Sequence, residues 1–286
     1  MNQELGSVVT ALITDKNDQG YFVQRSGLTY KLLAANEDYQ LGDTVRGFIY
    51  ENSKGQKIMT QDLPSVRQNR YAWAQVTSVK KDLGVFTDIG LPDKDIVVSL
   101  DDLPTIAHTW PKIGDYLFIR LEVDKKNRLW GKLAEEHVFQ AISYKLPSHS
   151  RKFNNQEVTA RVYRAKLAGS QLLTEDYHLA FIHTSEFDEE PRLGEQVKGR
   201  VIGVGQNGNL NLSLKPLAHA VLDDDALMIL AMLERRPDGF LPFNDKSDPQ
   251  AIRNHFGLSK AQFKRALGRL MKDKKITQNT EGIERI

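Results

Sequence analysis

A mainly β chain, with three small five-stranded barrels in tandem and an α+β domain at the C-terminus, is the architecture that the sequence predicts. Three observations predict it. Five short runs of β-branched and aromatic residues occur in the same order three times. A Gly followed by Asp or Glu stands before the fourth run of each set. After residue 222 the apolar period changes from that of strands to that of a helix.

The first set occupies 7–13, 21–25, 29–33, 44–50 and 57–60, with a polar turn over 15–20. The second occupies 71–79, 84–87, 95–99, 116–121 and 128–132, and the third 157–163, 170–173, 179–183, 196–202 and 209–214. Short strands separated by Gly, Asn, Asp and Ser mark a small barrel or sandwich. The landmark reads Leu41-Gly42-Asp43-Thr44-Val45, then Ile113-Gly114-Asp115-Tyr116-Leu117, then Leu193-Gly194-Glu195-Gln196-Val197. It predicts a tight turn, in which Gly takes a backbone angle that other residues resist and a carboxylate bonds local amides. One such pair carries no information, but three in matching contexts make a repeat.

Where the patterns break, boundaries follow. The barrels are expected at 1–65, 66–134 and 155–216, a helical connector at 135–154, and the last domain at 217–286. In the connector, Val138 and Ile142 share one helix face with Phe139 beside them, and Leu146-Pro147-Ser148 stops the helix. Pro216 is expected to end the third barrel.

In the last domain, Asp223-Asp224-Asp225 precedes the helical run 226–233 and is expected at its N-terminus, where carboxylates favour the dipole. Gly239-Phe240-Leu241-Pro242-Phe243 follows as a short edge strand. Ser247-Asp248-Pro249 opens a helix over 250–256 that Gly257 closes, and Ser259 caps a helix over 260–272. A hairpin of 275–278 and 283–286 ends the chain. Helix, strand, helix, turn, helix, hairpin is the winged helix-turn-helix order.

Composition narrows the function classes. Hydrophobic residues make up 40%, enough for packed cores, and the net charge of +2 says little about partners. With no cysteine there is neither a disulfide framework nor a thiolate zinc site, which fits a reducing cytoplasm. The first ten residues lack a basic start and an apolar core, so no signal peptide is expected, and no apolar run reaches membrane-spanning length. Gly203-Val204-Gly205-Gln206-Asn207-Gly208 satisfies a dinucleotide fingerprint, but it joins two strands and no helix follows. The histidines show no close ligand spacing, and no nucleophile motif is present. The chain is therefore read as non-enzymatic, with no cofactor and no metal.

The repeated barrel resembles the RNA-binding OB-fold of the ribosomal-protein S-one type. Gly20-Tyr21-Phe22-Val23 and Gly84-Val85-Phe86 match its second-strand motif, and Phe181-Ile182-His183-Thr184-Ser185-Glu186 its third. Asp124 with Arg128, and Leu210-Asn211-Leu212-Ser213, match parts of its last strand. Departures stand beside the matches: Gln19 in barrel one, Leu83 and Val98 in barrel two, and Leu172, Leu173, Gly205 and Asn209 in barrel three. Three such barrels followed by a winged helix resemble the conserved virulence factor B family, which implies a bacterial RNA-binding protein linked to virulence-gene expression.

Candidate ligand residues follow from chemistry. Exposed aromatics stack on unpaired bases, and Tyr21, Phe22, Tyr30, Phe86, Phe181 and His183 are the candidates. Alternate aromatics on barrel strands also fill cores, so both readings stand for each; adjacent Tyr21 and Phe22 must face opposite ways. Arg128, Lys132, Arg161, Lys198 and Arg200 are candidate phosphate contacts along the strands. The third C-terminal helix adds Lys260, Lys264, Arg265, Arg269 and Lys272; from 253 to 275 there are eight basic residues against Asp273 alone. The expected function is a cytoplasmic RNA-binding regulator that holds single-stranded RNA, as messenger or on the ribosome. A DNA-binding transcription regulator using the winged helix, and a protein-interaction scaffold with degenerate barrels, are the alternatives.

Overall fold

The computed structural model describes residues 4–33, 38–148, 150–215 and 218–286, with the backbone alone for 218–223. Two compact units result, one ending at Leu214 and the other Lys215–Ile286. The expectation placed on Pro216 lies outside the described residues.

Barrel one is β1 (Val8–Asn17), β2 (Gly20–Arg25), β3 (Leu28–Leu33), β4 (Thr44–Glu51) and β5 (Lys57–Thr60). Barrel two is β6 (Ala72–Lys80), β7 (Gly84–Asp88), β8 (Ile96–Ser99), β9 (Tyr116–Val123) and β10 (Leu129–Leu133). Barrel three is β11 (Glu157–Lys166), β12 (Gly169–Thr174), β13 (Leu179–His183), β14 (Gln196–Val204) and β15 (Leu210–Ser213). Each closes in one strand order, first-second-third-fifth-fourth, with a parallel pairing between its third and fifth strands. Closure removes the sheet edges that would otherwise expose unpaired amides.

The glycine landmark closes each barrel in the same way. Gly42, Gly114 and Gly194 have φ of 94°, 93° and 83°. Their amides donate to Ile13, Val76 and Val162 of the first strands at 2.9, 2.9 and 2.8 Å. The following carboxylates accept from the amides of Gln40, Lys112 and Arg192 at 2.8, 2.7 and 2.8 Å. A β-bulge follows each anchored residue, at Ile13/Asp15, Val76/Ser78 and Val162/Arg164. The bulge re-aims the rest of the first strand. In barrel one the ladder runs on to the Asn17–Gly20 pair, so the turn expected over 15–20 is shorter.

The barrels of the first unit do not stand apart. Leu5, Phe48, Tyr50, Ile58 and Val66 join the core of barrel two, and the Tyr50 hydroxyl donates to Asp93 at 2.8 Å. Between barrels two and three, the Leu193 amide donates to the Thr109 carbonyl at 2.9 Å and Arg192 meets Asp115 at 3.3 Å. The connector supplies α1 (Glu136–Ile142), whose Phe139 is 1% exposed amid Leu173, Leu179, Trp73, Phe118 and Tyr163.

The second unit contains α2 (Ala218–Glu234), β16 (Phe240–Leu241), α3 (Pro249–Phe256), α4 (Lys260–Lys272), β17 (Ile276–Gln278) and β18 (Ile283–Arg285). Asp248 caps α3, Gly257 ends it at φ 72°, and Ser259 with Gln262 forms a capping box on α4. α4 buries Phe263, Ala266, Leu267 and Leu270. The expectation for the acidic triplet is corrected: α2 begins at Ala218, so Asp224 and Asp225 lie inside the helix. Asp225 is 9% exposed and Oδ2 has no hydrogen-bond partner among the described residues. The side chain of Asp223 lies outside the described residues.

Candidate nucleic-acid interface

Strand register superimposes one outward-facing row on all three barrels. In barrel one it runs Asp15, Phe22 and Lys31, and its next position, Ile58, is covered by barrel two. In barrel two it runs Ser78, Phe86, Val97, Trp130 and Glu122. In barrel three it runs Arg164, Gln171, Phe181, Asn211 and Gly203. The inward neighbours Val23, Val85 and Ile182 are each fully buried, and strand alternation puts Phe22, Phe86 and Phe181 on the outside, half-exposed.

This geometry corrects two residue equivalences. The barrel-two partner of the third-strand aromatic is Val97, because Val98 is in the core. The barrel-three partner of the second-strand aromatic is Gln171; Leu172 faces the barrel core and Leu173 packs under α1. The last-strand equivalence holds on the backbone. The amides of Asn52, Asp124 and Gly205 donate to the carbonyls of Gln56, Arg128 and Asn209 at 3.0, 3.0 and 2.9 Å. That hairpin, with Gly208 at φ 79°, is what the glycine-rich stretch over 203–208 forms.

The six aromatic candidates separate. Tyr30 is 1% exposed in the core of barrel one and offers no face to a base, which corrects its assignment; it pairs with inward-facing Val23. Tyr21 packs at the rim of the same core, donates to Asp38 at 3.0 Å and meets Tyr39 edge-on at 5.8 Å. Phe22 stands beside Lys31. Lys80 lies 4.8 Å over Phe86. Phe181 and exposed His183 lie along one strand face with ring centroids 6.5 Å apart.

The cationic candidates separate too. Arg128 pairs with Asp124 at 2.7 Å and lies 5.3 Å over the Trp130 ring. The Arg128 amide above all, with its guanidinium and the Trp130 indole, holds the Asp124 carboxyl well below the usual carboxylate range. Lys132 is tied to Asp102. Arg161 lies at the junction of barrels two and three, half-buried. It lies 4.6 Å over Tyr116 and 5.3 Å over Trp73, and donates to the Gly194 carbonyl at 3.1 Å. Lys198 and Arg200 project from β14 opposite Thr159 and Glu157, and β15 separates them from the strand of Phe181.

On α4, Lys264, Arg265, Arg269 and Lys272 are exposed and Lys260 is half-exposed. Lys264 meets Asp245 at 3.6 Å, Arg269 meets Asp273 at 2.9 Å, and Lys260 reaches the Lys246 carbonyl at 3.5 Å. Exposed pairs of this kind are weak and leave the cations available to a stronger anion.

Trp130 is the largest omission of the sequence reading. It sits on the outer row of barrel two, two strands from Phe86 with Val97 between. Its alternation between buried Leu129 and Gly131 was the available signal. Lys31 and Gln171 were missed for want of register. Among the described residues no helix is long and apolar enough to cross a membrane, and no group of three or more metal-binding side chains is assembled.

Comparison with known proteins agrees with this layout. A model described as an S1 domain matches residues 5–62, and the CvfB first S1-like domain matches 71–132. The second domain of the virulence regulatory factor CvfB matches 139–216, and the CvfB-like winged helix domain matches 227–284. Conserved virulence factor B of Staphylococcus epidermidis is 38% identical over 284 residues, covering 97% of this chain and 92% of that protein. Conserved virulence factor B of Staphylococcus aureus strain USA300 is 40% identical over 245 residues, covering 86% and 80%. A crystal structure of a multidomain protein with nucleic acid binding domains from Streptococcus pneumoniae shares 48% identity and a TM-score of 0.72, over all of both chains.

Proposed function

Because the chain belongs to the conserved virulence factor B family, we propose that it is a cytoplasmic RNA-binding regulator that acts on gene expression after transcription by holding single-stranded RNA. The observation that carries this reading is the outer row repeated on three barrels, which presents Phe22 and Phe86 from the second strands, Phe181 from a third strand and Trp130 from a fifth. An aromatic face on a small barrel suits unpaired bases, which duplex DNA keeps stacked away from it. Each row holds one or two aromatics, so each barrel binds weakly. Linking the barrels raises the effective concentration of the next site once one is filled. The basic face of α4 adds sequence-independent attraction to phosphates.

The mechanism is occupancy. RNA held across several weak sites is withheld from, or presented to, the machinery that translates or degrades it. No residue is assigned a catalytic role. The deciding experiment compares binding of matched single-stranded RNA, single-stranded DNA and duplex DNA at two salt concentrations. Preference for single-stranded RNA supports the proposal. Tight sequence-specific binding of duplex DNA supports a transcription regulator instead, and no binding of any nucleic acid leaves a protein scaffold.

A further inference from the structure

One carboxylate in the first unit is held by three donors from the outer face of a barrel. Glu136, the first residue of α1, accepts from Arg164 Nη1 at 3.2 Å, Lys166 Nζ at 3.2 Å and Gln171 Nε2 at 3.4 Å. Arg164 and Lys166 come from β11 and Gln171 from β12. Two cations and an amide thus converge on an acceptor bearing a single charge. A phosphodiester carries the same charge on two terminal oxygens and offers the same acceptor geometry.

The placement ties these donors to the aromatic row. Arg164 pairs with Gln171, and Gln171 with Phe181. Adjacent strands are separated by about 4.8 Å, so the backbone of Arg164 lies roughly 10 Å from that of Phe181. That is a reach from a stacked base to a neighbouring phosphate. We propose that Arg164, Lys166 and Gln171 form a phosphate-binding site of barrel three, and that Glu136 occupies it as a carboxylate stand-in that RNA must displace. This rests on the RNA-binding reading above.

Displacement is local. The Glu136 side chain is 36% exposed, and its cationic partners are 52% and 41% exposed, so solvent screens both pairs. Phe139 pins the helix three residues later, so a rotation of the Glu136 side chain opens the site while α1 stays docked. Lys166 first among its neighbours holds the Glu136 carboxyl below the usual range.

The test uses the full chain and a labelled single-stranded oligoribonucleotide at a series of salt concentrations. Glu136→Gln is compared with Glu135→Gln, which removes the same charge from a neighbour that touches none of the three donors among the bonds and ion pairs described. Glu136→Gln is expected to tighten binding several-fold and to steepen the log–log salt slope by up to about 0.7, for the one phosphate that the site holds. Glu135→Gln is expected to do neither. Adding Arg164→Gln and Lys166→Gln to Glu136→Gln is expected to abolish the gain. Equal effects of the two single changes, or a gain that survives loss of both cations, overturns the site while leaving RNA binding intact. Failure of every protein, wild type included, to bind the RNA overturns the RNA-binding reading and the site with it.

Discussion

Phe139 of the connector helix stacks on Tyr163 of barrel three, with ring centroids 3.9 Å apart and planes 15° apart. The same Phe139 ring lies 5.4 Å from Phe118 of barrel two. One aromatic side chain thus bridges two barrels, and burial by its neighbours pushes the Tyr163 hydroxyl up to about 12. Replacing Phe139 with Ala removes a buried ring from a site that has little to fill the space. The expected cost is about 3–5 kcal/mol, the usual range for Phe to Ala in a core. Calorimetry should show a lowered transition for the first unit, and limited proteolysis should open the segment after Ile142. An unchanged transition would mean that the barrels hold each other without the helix.

Inner and outer aromatics should respond differently. Phe22→Ala, Phe86→Ala, Trp130→Ala and Phe181→Ala should each cost about 1–3 kcal/mol of RNA binding, the range for one stacked base. Their melting temperatures should barely move, because each ring lies on the outer face. Tyr30→Ala should instead lower the melting temperature, with any binding loss following unfolding. Paired melting and binding curves on each variant decide the matter. A variant whose binding loss disappears when corrected for unfolding is not a stacking residue.

What could be read ahead of the structure depended on how local its cause was. The turns at Gly42, Gly114 and Gly194 were legible because a glycine and the carboxylate after it form the turn by themselves. The Ser259 cap of α4 was legible for the same reason, whereas the return bond from Gln262 was not. The outer row was not. Ile96, Val97 and Val98 are all apolar, so the sequence conceals which of them faces outward. Leu172 and Leu173 are both buried, one by the barrel and one by α1, so a covered outer face looks like a core. Arg161 read as a free strand cation because its partners, Trp73 and Tyr116, belong to another barrel. The start of α2 was misplaced because an acidic triplet resembles a cap, whereas the helix accommodates it eight residues earlier than the apolar run implies.

Asp225 provides a pH test within the second unit. Burial raises its carboxyl above the ordinary value, and attraction to Arg265 pulls it partly back. A carboxyl with a raised folded-state value is neutral in both states at low pH and costs nothing there. As pH rises past the unfolded value, the unfolded chain ionises first and stability is lost. Asp225→Asn should therefore raise the melting transition of this unit by a few degrees at pH 7, and the gain should vanish near pH 3.5. Calorimetry of the full chain at the two values checks it. A lower transition for Asp225→Asn at pH 7 would show that the Arg265 attraction outweighs burial.

The basic face of α4 should contribute affinity without sequence preference. The first 65 residues hold six Lys or Arg against eight Asp or Glu, so barrel one is a poor electrostatic anchor, whereas 253–275 carries eight basic residues against one acid. Changing Lys264, Arg265, Arg269 and Lys272 to Gln leaves Phe263, Ala266, Leu267 and Leu270 buried, so the helix should stay folded. For single strands, the log–log salt slope should flatten by about 0.7 for every phosphate that the variant no longer neutralises. Affinity should fall for many RNA sequences alike, because phosphates carry no base information. Titrations of several unrelated oligoribonucleotides at graded salt measure both quantities. An unchanged slope with intact binding would remove α4 from the RNA interface, and a loss confined to one sequence would make the helix a base reader.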